Sequence, residues 1–161
     1  MRRYLQVFLL AVAFDLYWAL VVLFREQGLI IWLGLAILAC LLLPSAYRLY
    51  AIGLAAAGSL LDALWALTGL ITFTGDALMP LWMVALWLMF AVVWTQLART
   101  TTLPGWLLTL LAAVGGPVAY LIGERLGAIT FLEPTFIVVS WMAPGWLVLM
   151  LFFHLLMGRQ K

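Results

Sequence analysis

Six apolar runs, at residues 5–24, 29–43, 51–73, 78–97, 104–122 and 135–157, follow one another along almost the whole chain. A membrane-crossing helix needs roughly 20 mostly apolar residues, and five of the six runs come close to or exceed that length. Composition points the same way. Of 161 residues, 68% are hydrophobic and 9% charged, with a mean hydropathy of +1.22; a soluble domain is nearer half apolar and a quarter charged. A soluble fold of this size lacks the interior to hide so much apolar surface. The sequence therefore predicts an all-α integral membrane protein, a single polytopic domain over residues 1–161 folded as a bundle of six transmembrane helices.

The second run is short and ends at Pro44, where a kink and continuation towards Leu49 are expected. Asp76 and Thr102 suit helix N-caps, and Pro80, Pro104 and Pro134 suit helix starts. The longest connection runs from Gly123 to Pro134. Met1-Arg2-Arg3 before an apolar run resembles a secretory signal, and Ala11-Val12-Ala13 a cleavage site. That signal would be shorter than usual, and the apolar run continues past it to Phe24, so it is read as the first membrane helix, retained.

With six spans, both termini and the second and fourth connections share one side. That side carries Arg2, Arg3, Arg48, Arg99, Arg159 and Lys161, whereas the other has only Arg25 and Arg125. The positive-inside rule then places the N- and C-termini in the cytoplasm. Basic helix ends also account for the pI near 9.0, and no nucleic-acid partner is expected. Glu26, Asp76, Glu124 and Glu133 fall on the outer side.

Two related stretches place a carboxylate deep in a span: D-L-Y-W-A-L at 15–20 and D-A-L-W-A-L at 62–67. A charged Asp at a helix centre costs about 2.5–3.5 kcal/mol on the insertion scale. Asp15 and Asp62 are thus expected to face the bundle interior at similar depth, with Trp18 and Trp65 beside them. At helical spacing Asp15 shares a stripe with Ala11 and Ala19, and Asp62 with Ala51, Ala55 and Gly58 or Ser59. Such small residues admit a close neighbour. Either each Asp is a hydrogen-bonding staple between helices, or Asp15 and Asp62 form a ligand or proton site in a central cavity walled by Trp18 and Trp65.

Of the nine tryptophans, Trp32, Trp82 and Trp106 lie near span ends, where an interfacial belt is expected. Trp18, Trp65, Trp87, Trp141 and Trp146 lie inside spans, as packing residues or as the walls of a pocket. In the fifth run Gly115, Ala119, Gly123 and Gly127 recur every four residues, predicting a helix-packing face. Gly116-Pro117 predicts a bend. Tyr120, Glu124 and Arg125 cluster near its outer end as a gate or partner contact.

Enzyme chemistry finds little foothold. The chain has no phosphate-binding glycine loop, no G-x-S-x-G and no H-E-x-x-H. Ser140 and His154 sit about 21 Å apart along one helix. A lone Cys40 and a lone His154 exclude an internal disulfide and a His/Cys zinc site, so neither metal nor cofactor is expected, and no residue is singled out as catalytic.

The stretches L-L-D-A-L-W-A-L-T-G-L (60–70), P-L-W-M-V-A-L-W-L-M-F-A (80–91) and G-G-P-V-A-Y-L-I-G-E-R-L-G-A-I (115–129) resemble a family of small bacterial inner-membrane proteins classed only as a domain of unknown function. The likeness covers roughly residues 53–129. It implies a multi-pass protein of the bacterial inner (cytoplasmic) membrane and contributes no catalytic residues. By span number and length alone the chain is also similar to six-helix substrate-binding subunits of vitamin transporters and to cell-shape membrane proteins, an analogy of fold and not of site. The leading functional expectation is binding or moving a small apolar molecule or lipid through a central cavity. The alternatives are a non-catalytic subunit that scaffolds a membrane complex, itself lipid-modifying or not, and an intramembrane lipid enzyme. Expected partners are membrane lipids and a membrane-protein partner or a second copy of the chain.

Overall fold

The computed structural model describes residues 2–75 and 77–158, with side chains from Leu5 onward. Asp76, Arg159 and Lys161 lie outside the described residues, and so does the N-cap expected at Asp76. Six α-helices occur among the described residues: α1 (Arg2–Phe24), α2 (Leu29–Leu42), α3 (Ser45–Leu67), α4 (Leu81–Thr100), α5 (Gly105–Arg125) and α6 (Thr135–Gly158). Two three-residue strands, β1 (Ile71–Phe73) and β2 (Ile129–Phe131), pair antiparallel. Five helical stretches are long and apolar enough to cross a membrane, the first of them Leu5–Leu42.

That first stretch does not run straight. A continuous helix would put residues 17 and 32 about 22 Å apart, yet the Tyr17 hydroxyl donates to the Trp32 carbonyl at 2.9 Å. The chain reverses through a 3₁₀ turn at Arg25–Gly28, where Arg25 adopts a positive φ of 44°. Trp32 closes the turn by donating its indole N–H to the Arg25 carbonyl at 3.0 Å. Its ring fills the space where Gly28 would carry a Cβ, so only glycine fits there. Trp32 is thus a buried pivot rather than a residue of an interfacial belt, and Trp82 is also buried.

The expected kink at Pro44 is a full break. Leu43 is extended (φ −66°, ψ 140°), as the residue before a proline prefers, and α3 starts afresh at Ser45. Arg48 secures the break by donating its Nε to the Leu43 carbonyl at 2.8 Å, a cation at the carbonyl end of α2. At the other end α3 stops at Leu67 and not at Phe73, because Gly69 turns into the left-handed region (φ 75°). Asp62 therefore sits near the C-terminal end of its helix rather than mid-span. The three start-site prolines lie one position outside their helices, and α5 has Pro104, not Thr102, as its N-cap.

The chain divides into two compact units. The first comprises residues 1–56 and 81–103; the second comprises 57–80 and 104–161. In the first, α4 packs against both α1 and α2. Phe14 meets Phe90 at 6.0 Å, and Phe90 stacks on Trp94 at 5.3 Å. In the second, α5 lies against α6, with Met142, Trp146, Met150 and Phe153 buried on the α6 side.

Candidate functional site

In the second unit, Asp62 is fully buried and accepts a hydrogen bond from the Tyr120 hydroxyl. Trp65, one turn on from Asp62, meets the Tyr120 ring edge-on at 5.9 Å, and Trp146 of α6 approaches the same ring at 6.5 Å. Two glycines make room for these indoles: Gly116 lies under Trp146, and Gly145 lies 2.7 Å, measured from a built Cβ, from Trp65. The result is a buried Asp62 carboxyl bonded to a tyrosine whose ring is flanked by two indoles. Sequence reasoning found Asp62, Trp65 and Tyr120 separately but did not pair Asp62 with Tyr120.

A signal for that pairing was present. G-L-I-T-F at 69–73 and G-A-I-T-F at 127–131 are near-identical, and each follows a helix. Both glycines adopt positive φ, 75° and 71°, and both close the same C-terminal motif. Leu70 N–H bonds the Trp65 carbonyl and Ala128 N–H the Gly123 carbonyl, at 2.9 and 3.0 Å, the double turn typical of glycine-ended helices. The two I-T-F strands then pair, Ile71 with Phe131, Thr72 with Thr130 and Phe73 with Ile129. Asp62 and Tyr120 each stand seven residues before their glycine, so the hydrogen bond joins equivalent positions of a duplicated helix–glycine–strand unit.

The first unit holds a different feature, an open cleft of about 640 Å³ between α1, α2 and α4. Leu10, Phe14, Leu38, Met89 and Val93 are among its walls, and Gln96 and Arg99 close one end beside Leu42 and Pro44. Neither Asp15 nor Asp62 lines it. Arg99 donates Nη1 to the Gln96 side-chain oxygen at 2.7 Å, and its guanidinium carbon lies 5.2 Å from the centre of the Tyr47 ring.

Asp15, expected inside the bundle, is exposed, and Trp18 beside it is half-buried. The buried residues of α1 are Tyr17, Val21 and Val22. At 100° per residue Asp15 lies about 140° round the helix from Leu10, away from the cleft. The likeness of the two D-x-x-W stretches does not extend to burial: Asp62 lies on a covered helix face and Asp15 on an open one.

A family model, described as a protein of unknown function, matches residues 7–152. The chain belongs to this family, DUF2878. The match takes in α1 and Asp15 as well as the region of the sequence likeness. No curated protein and no solved structure matches the DUF2878 chain.

The expected packing face on α5 of this DUF2878 chain is not one surface. Gly115 has open space around it, Gly127 is a turn residue and Ala119 is half-buried, while Gly123 lies close to Ile129, 3.3 Å from the position a Cβ would take. The buried face of α5 is instead Ala112, Ala113, Gly116, Tyr120 and Gly123. Glu124 is half-buried and Arg125 exposed, while Tyr120 faces the interior, so the proposed gate residues do not share one environment.

Proposed function

We propose that this DUF2878 protein crosses the bacterial inner membrane six times with cytoplasmic termini, and that it binds a lipid or small apolar molecule. What supports six crossings rather than five is the turn at Arg25–Gly28, which interrupts the Leu5–Leu42 stretch between α1 and α2. The α2 crossing is short, about 21 Å for 14 residues, against a hydrocarbon core of about 30 Å. Local thinning of the bilayer or snorkelling of flanking residues accommodates such a mismatch. Orientation rests on the basic residues.

The observation that carries the binding reading is the cleft between α1, α2 and α4. Its volume lies within the range of small-molecule sites, about 300–1,000 Å³, and its walls are largely apolar. In a bilayer the nearest occupant is an acyl chain. The binding site is accordingly this cleft rather than a cavity spanning Asp15 and Asp62. Ala39 also lines the cleft, and filling it with Ala39→Trp should lower the number of lipids that remain bound through detergent extraction, counted by native mass spectrometry. Unchanged retention in a normally folded variant would remove the reading.

A second reading, a subunit that docks another membrane protein, has one observation in its favour. Asp15 is exposed on α1, and its place near mid-helix puts a polar group where lipid solvates it poorly. A partner helix offering a hydrogen-bond donor at that depth would relieve the cost.

A further inference from the structure

The cleft of the first unit differs in chemistry between its walls and its end. Apolar side chains line its length, while Gln96 and Arg99 stand where α2 stops and α4 finishes. The Arg99 head is oriented by two neutral groups, the Gln96 amide and the Tyr47 ring. Among the described residues it forms no salt bridge. Arg48 nearby already serves the carbonyl end of α2. Within the same unit, the stretches around the two arginines, residues 43–50 and 98–103, contain no Asp or Glu at all. The cation at the end of the cleft thus has no acidic counterpart supplied by its own surroundings in sequence.

We infer that this cleft selects an anionic phospholipid of the surrounding bilayer, with one acyl chain between α1, α2 and α4 and its phosphate against Arg99. The inference rests on the binding reading above and adds the class of lipid. Lipid tails are as apolar as leucine, so an apolar wall alone scarcely distinguishes one lipid from another of equal chain length. Discrimination falls to the headgroup. A planar guanidinium, held ready by the Gln96 and Tyr47 contacts, fits phosphate oxygens with paired N–H donors, and it favours an anionic lipid because no choline cation offsets that phosphate's charge. A partner helix matches less well, because a cylinder about 10 Å across does not concentrate one negative charge at the end of a narrow apolar strip.

The test uses the full-length protein in detergent, titrated with phosphatidylglycerol or with phosphatidylcholine of the same chains and read by native mass spectrometry. Wild type should bind the first phosphatidylglycerol about fivefold more tightly, the factor expected of one basic residue beside an anionic lipid. Arg99→Gln should remove that preference, weakening phosphatidylglycerol more than phosphatidylcholine, and Arg99→Lys should restore part of it. Ala39→Trp should weaken both lipids. Equal binding of the two lipids by wild type, or a preference that survives Arg99→Gln, overturns the anionic assignment; if Ala39→Trp still weakens both, the binding reading stands without it. If Ala39→Trp weakens neither, the cleft is not the site and both fall. A co-purified membrane protein that displaces lipid from the cleft overturns the assignment as well. Should Arg99→Gln not fold, the wild-type preference must still shrink as salt rises, since screening weakens a charge contact and not an apolar one; a salt-independent preference overturns the role of Arg99.

Discussion

Asp62 and Tyr120, 58 residues apart, are joined by a hydrogen bond between side chains at matching positions of two helix–glycine–strand units. The antiparallel ribbon of β1 and β2 ties the same units together further along, extended by Thr74 N–H to the Ala128 carbonyl and Leu132 N–H to the Leu70 carbonyl, each 3.1 Å. Helix ends, ribbon and buried polar pair therefore act as one clasp within the second unit.

Tyr120→Phe tests the clasp most directly. It keeps the ring that Trp65 and Trp146 pack against and removes only the hydroxyl. Intramembrane polar contacts average about 0.6 kcal/mol and reach about 1.7, and enclosure of Asp62 places this one towards the upper value. Thermal unfolding in detergent should show that loss, and Asp62→Asn, which still accepts a hydrogen bond, should lose less. A Tyr120→Phe variant as stable as wild type would show that the bond contributes nothing net.

The glycines of the clasp are predicted to behave unlike Gly115 of α5. Gly69→Ala and Gly127→Ala each force a Cβ into the left-handed region, at about 1–2 kcal/mol. Gly115→Ala meets open space inside a helix and should stabilise by up to about 1 kcal/mol through helix propensity. Melting temperatures of the three variants check the contrast; destabilisation by Gly115→Ala would restore the packing face that four-residue spacing suggested.

The helices were legible in the sequence because apolar length alone specifies them, and their ends were less so. α3 and its apolar run differ because Leu70, Ile71 and Phe73 are as apolar as a helix needs yet follow a glycine that turns the chain, and hydropathy does not register that turn. The Asp62 site was half legible. Its carboxylate and tryptophan announced themselves by cost and spacing, but the partner lay in another helix, visible only through the repeated G-x-I-T-F. Asp15 was misplaced because burial depends on what packs against α1, which no periodicity within α1 encodes. Arg99 passed as one more basic residue at a helix end, since the cleft beside it arises from three separate helices.

The turn between α1 and α2 should depend on Gly28. Its Cβ position is occupied by the Trp32 indole, which is held in turn by the Arg25 carbonyl, so the ring cannot swing away without losing that bond. Gly28→Ala should destabilise by about 1–3 kcal/mol, the usual range for overpacking, and shift the Trp32 contribution to the fluorescence spectrum. Gly34→Ala, on α2 with open space around it, serves as the control and should not destabilise.

Asp15 yields the prediction that separates the two readings of function. Its carboxyl is exposed on α1, 13 residues along from Arg2 and nine before Phe24, and a lipid-facing charge at such depth is unfavourable by about 2.5–3.5 kcal/mol. If lipid is its only neighbour, Asp15→Leu should stabilise the isolated chain and leave its size on gel filtration unchanged. If a partner helix donates a hydrogen bond to it, Asp15→Leu should break up that complex, whereas Asp15→Asn, which still accepts, should largely preserve it. The cleft reading expects the first outcome, with lipid retention unaltered because Asp15 points away from Leu10 and Phe14. Mass measurement of wild type and both variants in the same detergent decides between them, and loss of mass in Asp15→Leu alone would shift the assignment to a docking subunit.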